Sequence, residues 1–451
     1  MPSHDQRADS FRYEGYTVDS SGGVVTCTYS TAGHTFTERY TFGPGGDWGH
    51  PAVDAAVRIL FLLAGVSYYK TTAAPAIDMG QVTTSAHERA FLTNYYVNGL
   101  GEFAYRNGLD LTDLTVYGPD GSPPIAVEYI PIPGRPLIPF GGGIDSIVTM
   151  DALGHGHPDS VLCIVHPPGN RFTAIEEAAA TTHLPVHRIT RDIDPLVRRS
   201  DEMGFLNGHV PITAVVTAAA LVAAILDQRD AVVLSNEWSA SVPTLVVDGH
   251  PVNHQWSKGI DFERHFAQLL LETMGPHMSV FSYLRPRTEL WVARQFARLT
   301  QFHGVFRSCN RAFHQDPAQR IDRWCGTCDK CCFIDLILAP FMVAEDLSTV
   351  FEGREPLADP ATSHRFRTLL GLAPDAKPFE CVGDVGECRA ALTLAADRSD
   401  RTGNRLLNDL RQEVDALPTL PAVDPATLLH PIGPHYIPER YAPPDLLVRA
   451  R

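Results

Sequence analysis

Short apolar segments alternate with stretches of helix length through the middle of the chain. The strand candidates lie at 137–140, 161–165, 186–189, 231–236 and 279–284. Strands separated by helices form βαβ units, in which the strands run parallel and helices cover both faces of the sheet. The pattern predicts an α/β fold with a parallel, doubly wound sheet. Ligands of such sheets bind at the carboxyl ends of the strands.

The flanking regions have different patterns. Residues 11–43 alternate β-branched or aromatic residues with polar ones, which predicts a small antiparallel sheet, and residues 51–109 have helical periodicity. At 451 residues the chain is long enough for more than one core. We therefore expect an N-terminal α+β domain over 1–134, the parallel α/β domain over 135–345, and a helical, proline-rich C-terminal extension over 346–451.

Charge and hydropathy indicate which kinds of molecule the protein can bind. The chain has 37 Lys and Arg against 52 Asp and Glu, a formal charge of −15, which disfavours binding to a nucleic-acid backbone. Its first residues do not resemble a secretion signal, and the apolar run at 210–226 falls short of a membrane span. These observations predict a cytoplasmic protein with reduced cysteines that acts on small anionic substrates, away from nucleic acid and membrane.

The segment GGGIDS, at 141–146, follows the first strand candidate and opens a helix. Glycines let the backbone approach a ligand closely, and the start of a helix favours negative charge, so the segment suits phosphate oxygens. An aspartate there can organise the magnesium ion that accompanies a nucleotide. A glycine turn capped by polar residues is the alternative. The candidate nucleotide-binding residues are Gly141, Gly142, Gly143, Asp145 and Ser146.

Four cysteines have the spacing of a metal site. Cys325, Cys328 and Cys331 follow C-x2-C-x2-C, and Cys309 is the natural distant fourth ligand. Thiolates at this spacing can share one tetrahedral zinc ion, and a site closed by four thiolates is structural. An iron–sulfur cluster and simple packing are the alternatives. Cys332 is then spare and should face into the helix that follows.

The glycine segment resembles a known nucleotide loop. GGGIDS is similar to the SGGxDS loop of the PP-loop ATP pyrophosphatases, which cleave ATP to AMP and diphosphate. Gly141 stands where that family has a serine, so one hydroxyl donor to the phosphates is missing while the backbone cradle remains. The resemblance implies the PP-loop fold for the domain at 135–345, with ATP and Mg²⁺ bound at the loop.

A longer signature resembles a narrower family, the MurL-type epimerases of bacterial cell-wall synthesis. Besides PFGGGIDS it comprises SYYKT (67–71), LSNEWSAS (234–241), VNHQWSKG (252–259), FSYLRPRTELW (281–291) and WCGTCDKCCFIDLILAPF (324–341). The resemblance implies inversion of the terminal L-glutamate of UDP-N-acetylmuramoyl-L-alanyl-L-glutamate, with ATP consumed to AMP and diphosphate. It also implies a functional link to a ligase that adds L-glutamate to the muramoyl precursor.

An epimerase of this kind needs cations for phosphates and carboxylates, and groups that move a proton. We expect the cations of the matched segments to bind substrate or phosphates: Lys70, Arg285, Arg287 and Lys330. The catalytic candidates are Glu237, which follows a strand at its carboxyl end, His254 and Lys258. Glu237 has the alternatives of binding magnesium or capping a helix, and His254 that of a hydrogen-bonded core residue.

Other functions fit the same motifs. A PP-loop ligase or amidating enzyme would trap the adenylate with ammonia. A PP-loop enzyme that modifies a nucleobase or tRNA is a second alternative, which the acidic charge disfavours. A non-enzymatic module held together by zinc is the third alternative. ATP-dependent release of AMP, and the presence of D-glutamate in the product, separate these hypotheses.

Overall fold

The computed structural model describes residues 7–121, 127–314, 316–373, 377–417 and 424–447. Ten strands form one sheet in the order β12-β9-β6-β7-β8-β3-β2-β1-β4-β5, and β10 and β11 form a separate ribbon. The strands are β1 (Phe11–Asp19), β2 (Val24–Thr31), β3 (His34–Thr41), β4 (Ala76–Asp78), β5 (Thr115–Tyr117), β6 (Ile132–Pro139), β7 (Val161–His166), β8 (Val186–Asp192), β9 (Arg229–Leu234), β10 (Leu245–Val247), β11 (His250–Val252) and β12 (Ser279–Ser282).

Helices cover this sheet and form the C-terminal region. The helices before the four-cysteine segment are α1 (Pro51–Ala64), α2 (Val66–Tyr69), α3 (Ala86–Gly99), α4 (Gly101–Asn107), α5 (Ile144–Gly154), α6 (Thr173–Thr181), α7 (Pro195–Arg198), α8 (Ser200–Met203), α9 (Ile212–Leu226), α10 (Ile260–Met274) and α11 (Glu289–Phe296). The later ones are α12 (Asp329–Leu338), α13 (Ala344–Val350), α14 (Ser363–Leu369), α15 (Val385–Ala396), α16 (Arg405–Asp415), α17 (Pro425–Leu428) and α18 (Pro444–Leu447).

Five strands, β12-β9-β6-β7-β8, run parallel, as the alternation of strands and helices predicts. Each predicted strand is present, with bounds that differ by a few residues. In chain order these strands lie 5-4-1-2-3, so the order reverses between β6 and β9. Such a reversal opens a crevice at the carboxyl ends of the two strands, where ligands of doubly wound sheets bind.

The predicted N-terminal sheet is also present, and it is continuous with the parallel one. Strands β1, β2 and β3 pair antiparallel. The edge of β3 then pairs antiparallel with β8 through Arg39 and Asp192, Tyr40 and Arg191, and Thr41 and Thr190. The expected boundary between residues 134 and 135 falls inside β6. The two regions therefore share one sheet.

The apolar run at 210–226 forms α9, a buried helix as predicted, and it packs against α1. Among the described residues, one helical stretch, Pro51–Tyr69, is long and apolar enough by composition to cross a membrane. Its most apolar window is 83% buried, and a core helix of a folded protein passes the same test. The stretch is therefore weak evidence for a membrane span.

The C-terminal region folds back onto the parallel sheet. Tyr441 Oη and Arg440 Nε donate hydrogen bonds of 2.6 and 2.9 Å to the buried carboxylate of Asp230, at the start of β9. Farther along, both oxygens of Asp445 accept from Arg287 at 2.7 Å. Through these contacts the described part of the tail wraps the parallel domain of the same chain.

Candidate active site

The glycine segment lies at the point where the strand order reverses. It follows β6, and Glu237 follows β9, the neighbouring strand. Because parallel strands end at the same edge, both segments reach one crevice. The sequence predicted that the glycine segment and Glu237 each follow a strand. The strand order shows that these two strands, β6 and β9, are neighbours.

The three glycines pack differently. Gly142 has φ of 71°, in the left-handed region, and a Cβ there would lie 3.0 Å from the carbonyl oxygen of Ala174. A Cβ on Gly143 would lie 3.1 Å from Ser308 Oγ, whereas one on Gly141 would meet nothing within 4 Å. Gly143 is the N-cap of α5. The turn therefore requires glycine at position 142 and leaves open space at position 141.

Asp145 is placed as a ligand for a cation would be. Its Oδ1 atom is buried and has no hydrogen-bond partner among the described residues. Burial, reinforced by the negative charge of Glu237, raises the pKa of Asp145 to about 7. Ser146 lies beside it and donates a 3.1 Å hydrogen bond to the carbonyl of Gly143. An unpaired buried carboxylate oxygen at this loop fits a metal ion that accompanies phosphates.

Two further buried carboxyl groups were not predicted: Glu289, which lies close to Asp145, and Glu387, which contacts Glu289. Glu289 opens α11, its Oε2 has no hydrogen-bond partner in the described part of the chain, and burial together with the charge of Asp145 raises its pKa. Glu387 Oε1 accepts from the Glu289 backbone N–H at 2.8 Å, and burial raises its pKa to about 8. Glu289 lies within the matched segment at 281–291, but its role was not recognised there.

The carboxyl groups have two lysines as counter-charges. Lys258 and Lys330 both lower the pKa of Asp145 through their positive charge, against the larger effect of burial. Burial would lower the pKa of Lys258, but the charges of Cys381 and Glu237 outweigh it and raise that pKa. Lys258, predicted as a catalytic residue, and Lys330, predicted as a substrate-binding residue, thus both lie at the crevice.

Cys381 is another residue of this region that the sequence did not predict. Lys258 Nζ donates to Cys381 Sγ at 3.1 Å, and His254 also hydrogen-bonds this thiol. Burial would raise the pKa of Cys381, but the charge of Lys258 and the bond to His254 outweigh it and lower the pKa to about 6. The group is therefore mainly a thiolate at neutral pH. The residues around position 381 carry no recognisable motif.

His254 joins Cys381 to a buried carboxylate. Its Nδ1 atom lies 2.5 Å from Oε2 of Glu102, whose side chain is 6% exposed. Burial would lower the pKa of His254, but the hydrogen bonds to Cys381 and Glu102 raise it to about 9. His209 stacks on His254 with ring centroids 4.2 Å apart, and burial lowers the pKa of His209 to about 4. Glu102, His254 and Cys381 thus form a connected acid–base chain.

The other predicted cations have different surroundings. Lys70 donates to Asn207 Oδ1 at 2.6 Å, two residues before His209, and burial lowers its pKa to about 8. Arg287 pairs with Asp445 and lies 4.5 Å over the ring of Trp291. Both stay predictions as substrate-binding residues.

Arg285 is 1% exposed and pairs with Glu263 at 2.9 Å. It also donates to the backbone carbonyls of Glu237 and Lys258, at 2.8 and 2.5 Å. These contacts fix two turns that carry candidate catalytic residues. A substrate contact of Arg285 stays a prediction, and its observed contacts are those of a positioning residue.

The four cysteines converge as predicted. The sulfur atoms of Cys309, Cys325, Cys328 and Cys331 all lie within 4.8 Å of one another. Cys331 Sγ lies 3.4 Å from Cys328 Sγ and 3.6 Å from Cys325 Sγ. Zinc–sulfur bonds of ~2.3 Å in a tetrahedron place sulfur atoms ~3.8 Å apart, so the set fits a four-thiolate metal site. Cys332 is buried within α12, as expected of the spare thiol.

This cysteine cluster is tied to the segment that carries Cys381. Asn310, next to Cys309, donates to Glu380 Oε1 at 2.7 Å. Lys330, which lies between Cys328 and Cys331, donates to the backbone carbonyl of Cys381. The cluster therefore positions two of the groups that hold Cys381 in the crevice.

Two family models match the chain. The MurL N-terminal domain matches residues 2–283, and the MurL C-terminal domain matches residues 305–423. The match to the N-terminal domain model ends between the last strand of the parallel sheet and the cysteine cluster. The second contains the cysteine cluster and Cys381.

Three curated relatives carry the name UDP-N-acetyl-alpha-D-muramoyl-L-alanyl-L-glutamate epimerase. The protein of Salinispora tropica is 38% identical, over 98% of this chain and 97% of the relative. That of a Micromonospora species is 37% identical, over 98% and 99%. That of Xanthomonas oryzae pv. oryzae is 36% identical, over 95% of each. With matches of this extent over both family models, the chain belongs to the MurL epimerase family.

Proposed function

We propose that this chain inverts the terminal L-glutamate of UDP-N-acetylmuramoyl-L-alanyl-L-glutamate to D-glutamate, with ATP cleaved to AMP and diphosphate. The observation that carries the proposal is the crevice at the ends of β6 and β9, where a glycine turn, an unpaired buried carboxylate and two lysines meet. The names of the relatives indicate the substrate. Such an enzyme acts after a ligase that adds L-glutamate to the muramoyl precursor.

The chemistry explains why an epimerase would use ATP. A carbon next to a free carboxylate is hard to deprotonate, because a dianionic enolate would form. Conversion of the carboxylate to an acyl-adenylate removes that charge and makes the carbonyl a better electron sink. A base then removes the α-proton, a proton is added to the opposite face, and water releases AMP.

The ATP side of the crevice would be formed by Gly141, Gly142, Gly143, Asp145 and Ser146. The glycine turn lets the backbone approach phosphate oxygens, and the start of α5 favours their negative charge. The unpaired Oδ1 of Asp145 is a suitable ligand for Mg²⁺ bound with ATP, and Glu237 and Glu289 supply further carboxyl groups nearby. A bound cation would offset the mutual repulsion of these groups.

The lysines would act on charge that develops during the reaction. Lys258 and Lys330 lie close enough to Asp145 to affect its ionisation, so both can contact phosphates or the activated carboxyl group. Positive charge fixed in a partly dry crevice stabilises an enolate more than it would in water.

Zinc is the metal that best fits the cysteine cluster. Cys309, Cys325, Cys328 and Cys331 would hold the ion, which would supply structural stability because four thiolates leave no open position. Because Asn310 and Lys330 are neighbours of the cysteine ligands in sequence, a metal ion held by those ligands would also fix the positions of these two side chains.

The decisive experiment incubates the purified protein with ATP, Mg²⁺ and the UDP-muramoyl dipeptide, then hydrolyses the product and separates its glutamate enantiomers. We expect D-glutamate, and equal amounts of AMP and diphosphate. Asp145→Asn should abolish diphosphate release at an unchanged melting temperature. The matched control is Asp151→Asn, in the same helix α5, which should behave as the unsubstituted protein. Turnover of ATP without D-glutamate would reject the epimerase, and an active Asp145→Asn protein would reject the assignment of Asp145.

A further inference from the structure

We propose that the thiolate of Cys381 is a proton-transfer group of the epimerisation, and that His254 and Glu102 position and charge it. The inference rests on the proposed function, because it names the group that acts on the α-carbon of the activated glutamyl residue. It places a catalytic residue in the C-terminal region, outside the segments that suggest nucleotide binding.

The first argument is position. Cys381 contacts Lys258, which lies close to Asp145 and Glu237 at the ends of the central strands. An acyl group activated at the glycine turn would therefore lie near this sulfur. Cys381 as a residue is partly exposed, so it is not sealed in the core.

The second argument is that several independent contacts hold the segment. The Cys381 carbonyl accepts from Lys330, and Glu380 accepts from Asn310 at 2.7 Å. Phe379 lies 5.8 Å from the ring of Tyr105, and the guanidinium of Arg106 lies 4.8 Å over its ring. A loop fixed at Cys381 itself and at the two residues before it is expected where the sulfur must be held in place.

The third argument is charge. The groups that face the sulfur are Lys258, Lys330, His254, Glu380 and Asp145. The three cationic groups favour the thiolate, and the pKa of about 6 for Cys381 reflects this balance. Glu102 favours the protonated form of His254, whose pKa is about 9. Between these values the pair exists as thiolate and imidazolium.

The proposed step balances as follows. The Cys381 thiolate forms an S–H bond with the α-proton of the L-glutamyl adenylate. The Cα–H bond breaks, and its electron pair enters the enolate of the activated carbonyl. A proton that comes from water then adds to the opposite face and gives the D-configuration. The Cys381 thiol returns its proton to water, and the thiolate is restored.

The 3.1 Å distance also separates the roles of Cys381 and Lys258. Groups that act on opposite faces of one carbon each need a contact of ~3–3.5 Å with it, so they lie roughly 6–7 Å apart. Cys381 and Lys258 are too close for that. Lys258 therefore lies on the same face of the α-carbon as Cys381. Its positive charge first stabilises the thiolate and then, after the proton has moved, the enolate.

The test uses full-length Cys381→Ser and Cys381→Ala proteins in D₂O with ATP, Mg²⁺ and the UDP-muramoyl dipeptide. Dipeptide-dependent exchange of labelled diphosphate into ATP should stay within about threefold of the unsubstituted protein. D-glutamate formation and α-deuterium incorporation should fall ~10²–10⁴-fold, the usual contribution of a general base. Cys388→Ala is the matched control, a buried thiol in α15, and should leave all these rates unchanged.

A second readout is the pH dependence of alkylation. Inactivation of the unsubstituted protein by iodoacetamide should rise with an inflection near pH 6, where the thiolate of Cys381 forms, and peptide mass analysis should locate the label at that residue. Glu102→Gln weakens the protonation of His254, so the inflection should move to higher pH. A purely structural role of Glu102 would not move it.

The outcomes separate this inference from the proposed function. Cys381→Ala protein that epimerises at the original rate would overturn the inference and leave the function standing. Loss of diphosphate exchange together with epimerisation, in folded Cys381→Ser and Cys381→Ala proteins, would also overturn it, because the defect would then precede proton transfer. Unsubstituted protein that neither exchanges diphosphate nor forms D-glutamate would reject both.

Discussion

Single residues of the glycine turn have distinct tolerances. Gly142 has positive φ and lies against the backbone of α6, so a side chain there is strained and crowded. Gly141 is exposed, has no positive φ, and a Cβ there would enter open space. The position at which this chain departs from the SGGxDS pattern is thus the one that can accept a serine.

Gly141→Ser should therefore fold normally and lower the KM for ATP. A hydroxyl that donates to a phosphate adds ~0.5–1.5 kcal/mol, which is about 2–13-fold in affinity. Gly142→Ala should raise the KM for ATP, because the left-handed conformation alone costs roughly 1–2 kcal/mol for a residue with a Cβ. Diphosphate release as a function of ATP concentration measures both. A higher KM for the Gly141→Ser protein would place the phosphates elsewhere.

Part of the candidate site could be predicted from the sequence at this scale. Asp145, Glu237, Lys258 and Lys330 could be predicted because they belong to segments with a recognisable pattern or lie at the end of a strand. Cys381 has no such context. Its ionisation depends on partners far away in the chain, Lys258 and His254, and tertiary folding alone makes these neighbours.

Among the elements, the junction of β3 and β8 depends on a buried ion pair. Arg191, on β8, donates to the carboxylate of Glu38, on β3, and to Ser67 Oγ at 2.9 Å. Tyr40 Oη donates to the same carboxylate at 2.7 Å. The strands were predictable from their alternation. Their pairing was not, because the partner of an edge strand depends on the tertiary structure that brings a second edge beside it.

Glu38→Gln should destabilise the protein by about 3–5 kcal/mol, because Arg191 would remain buried without a counter-charge. Chemical unfolding measures the loss. The comparison is Glu202→Gln, which removes the partner of Arg199 in a surface ion pair. The side chain of Glu202 is 64% exposed and that of Arg199 is 57% exposed. That change should stay within about 0.5 kcal/mol. Equal effects of the two substitutions would contradict the importance of the junction.

For the molecule as a whole, the cysteine cluster connects the glycine turn with the segment that carries Cys381. Its ligands could be predicted from spacing, because C-x2-C-x2-C brings thiolates together locally. Its connection to Glu380 and Cys381 could not be predicted, since these contacts join residues that are 70 and 51 positions apart in the sequence.

We expect purified protein to contain about one equivalent of zinc and Cys328→Ala protein to lose both zinc and thermal stability. Cys332→Ala is the control, since this neighbour is not among the converging thiols, and it should retain the metal. Metal analysis and thermal unfolding measure these effects. Metal-free protein of full stability would contradict the prediction.

The contacts of Asp230 have a consequence for how the chain folds during synthesis. Asp230 leaves the ribosome long before Arg440 and Tyr441, the side chains that bind its carboxylate. Until they emerge, the carboxylate accepts, among the described residues, only from the backbone N–H groups of Gly134 and Arg135, at 3.1 and 2.9 Å, so burial at the start of β9 is less well compensated. The strand that presents Glu237 would then gain its full set of contacts only when the C-terminal segment has been made.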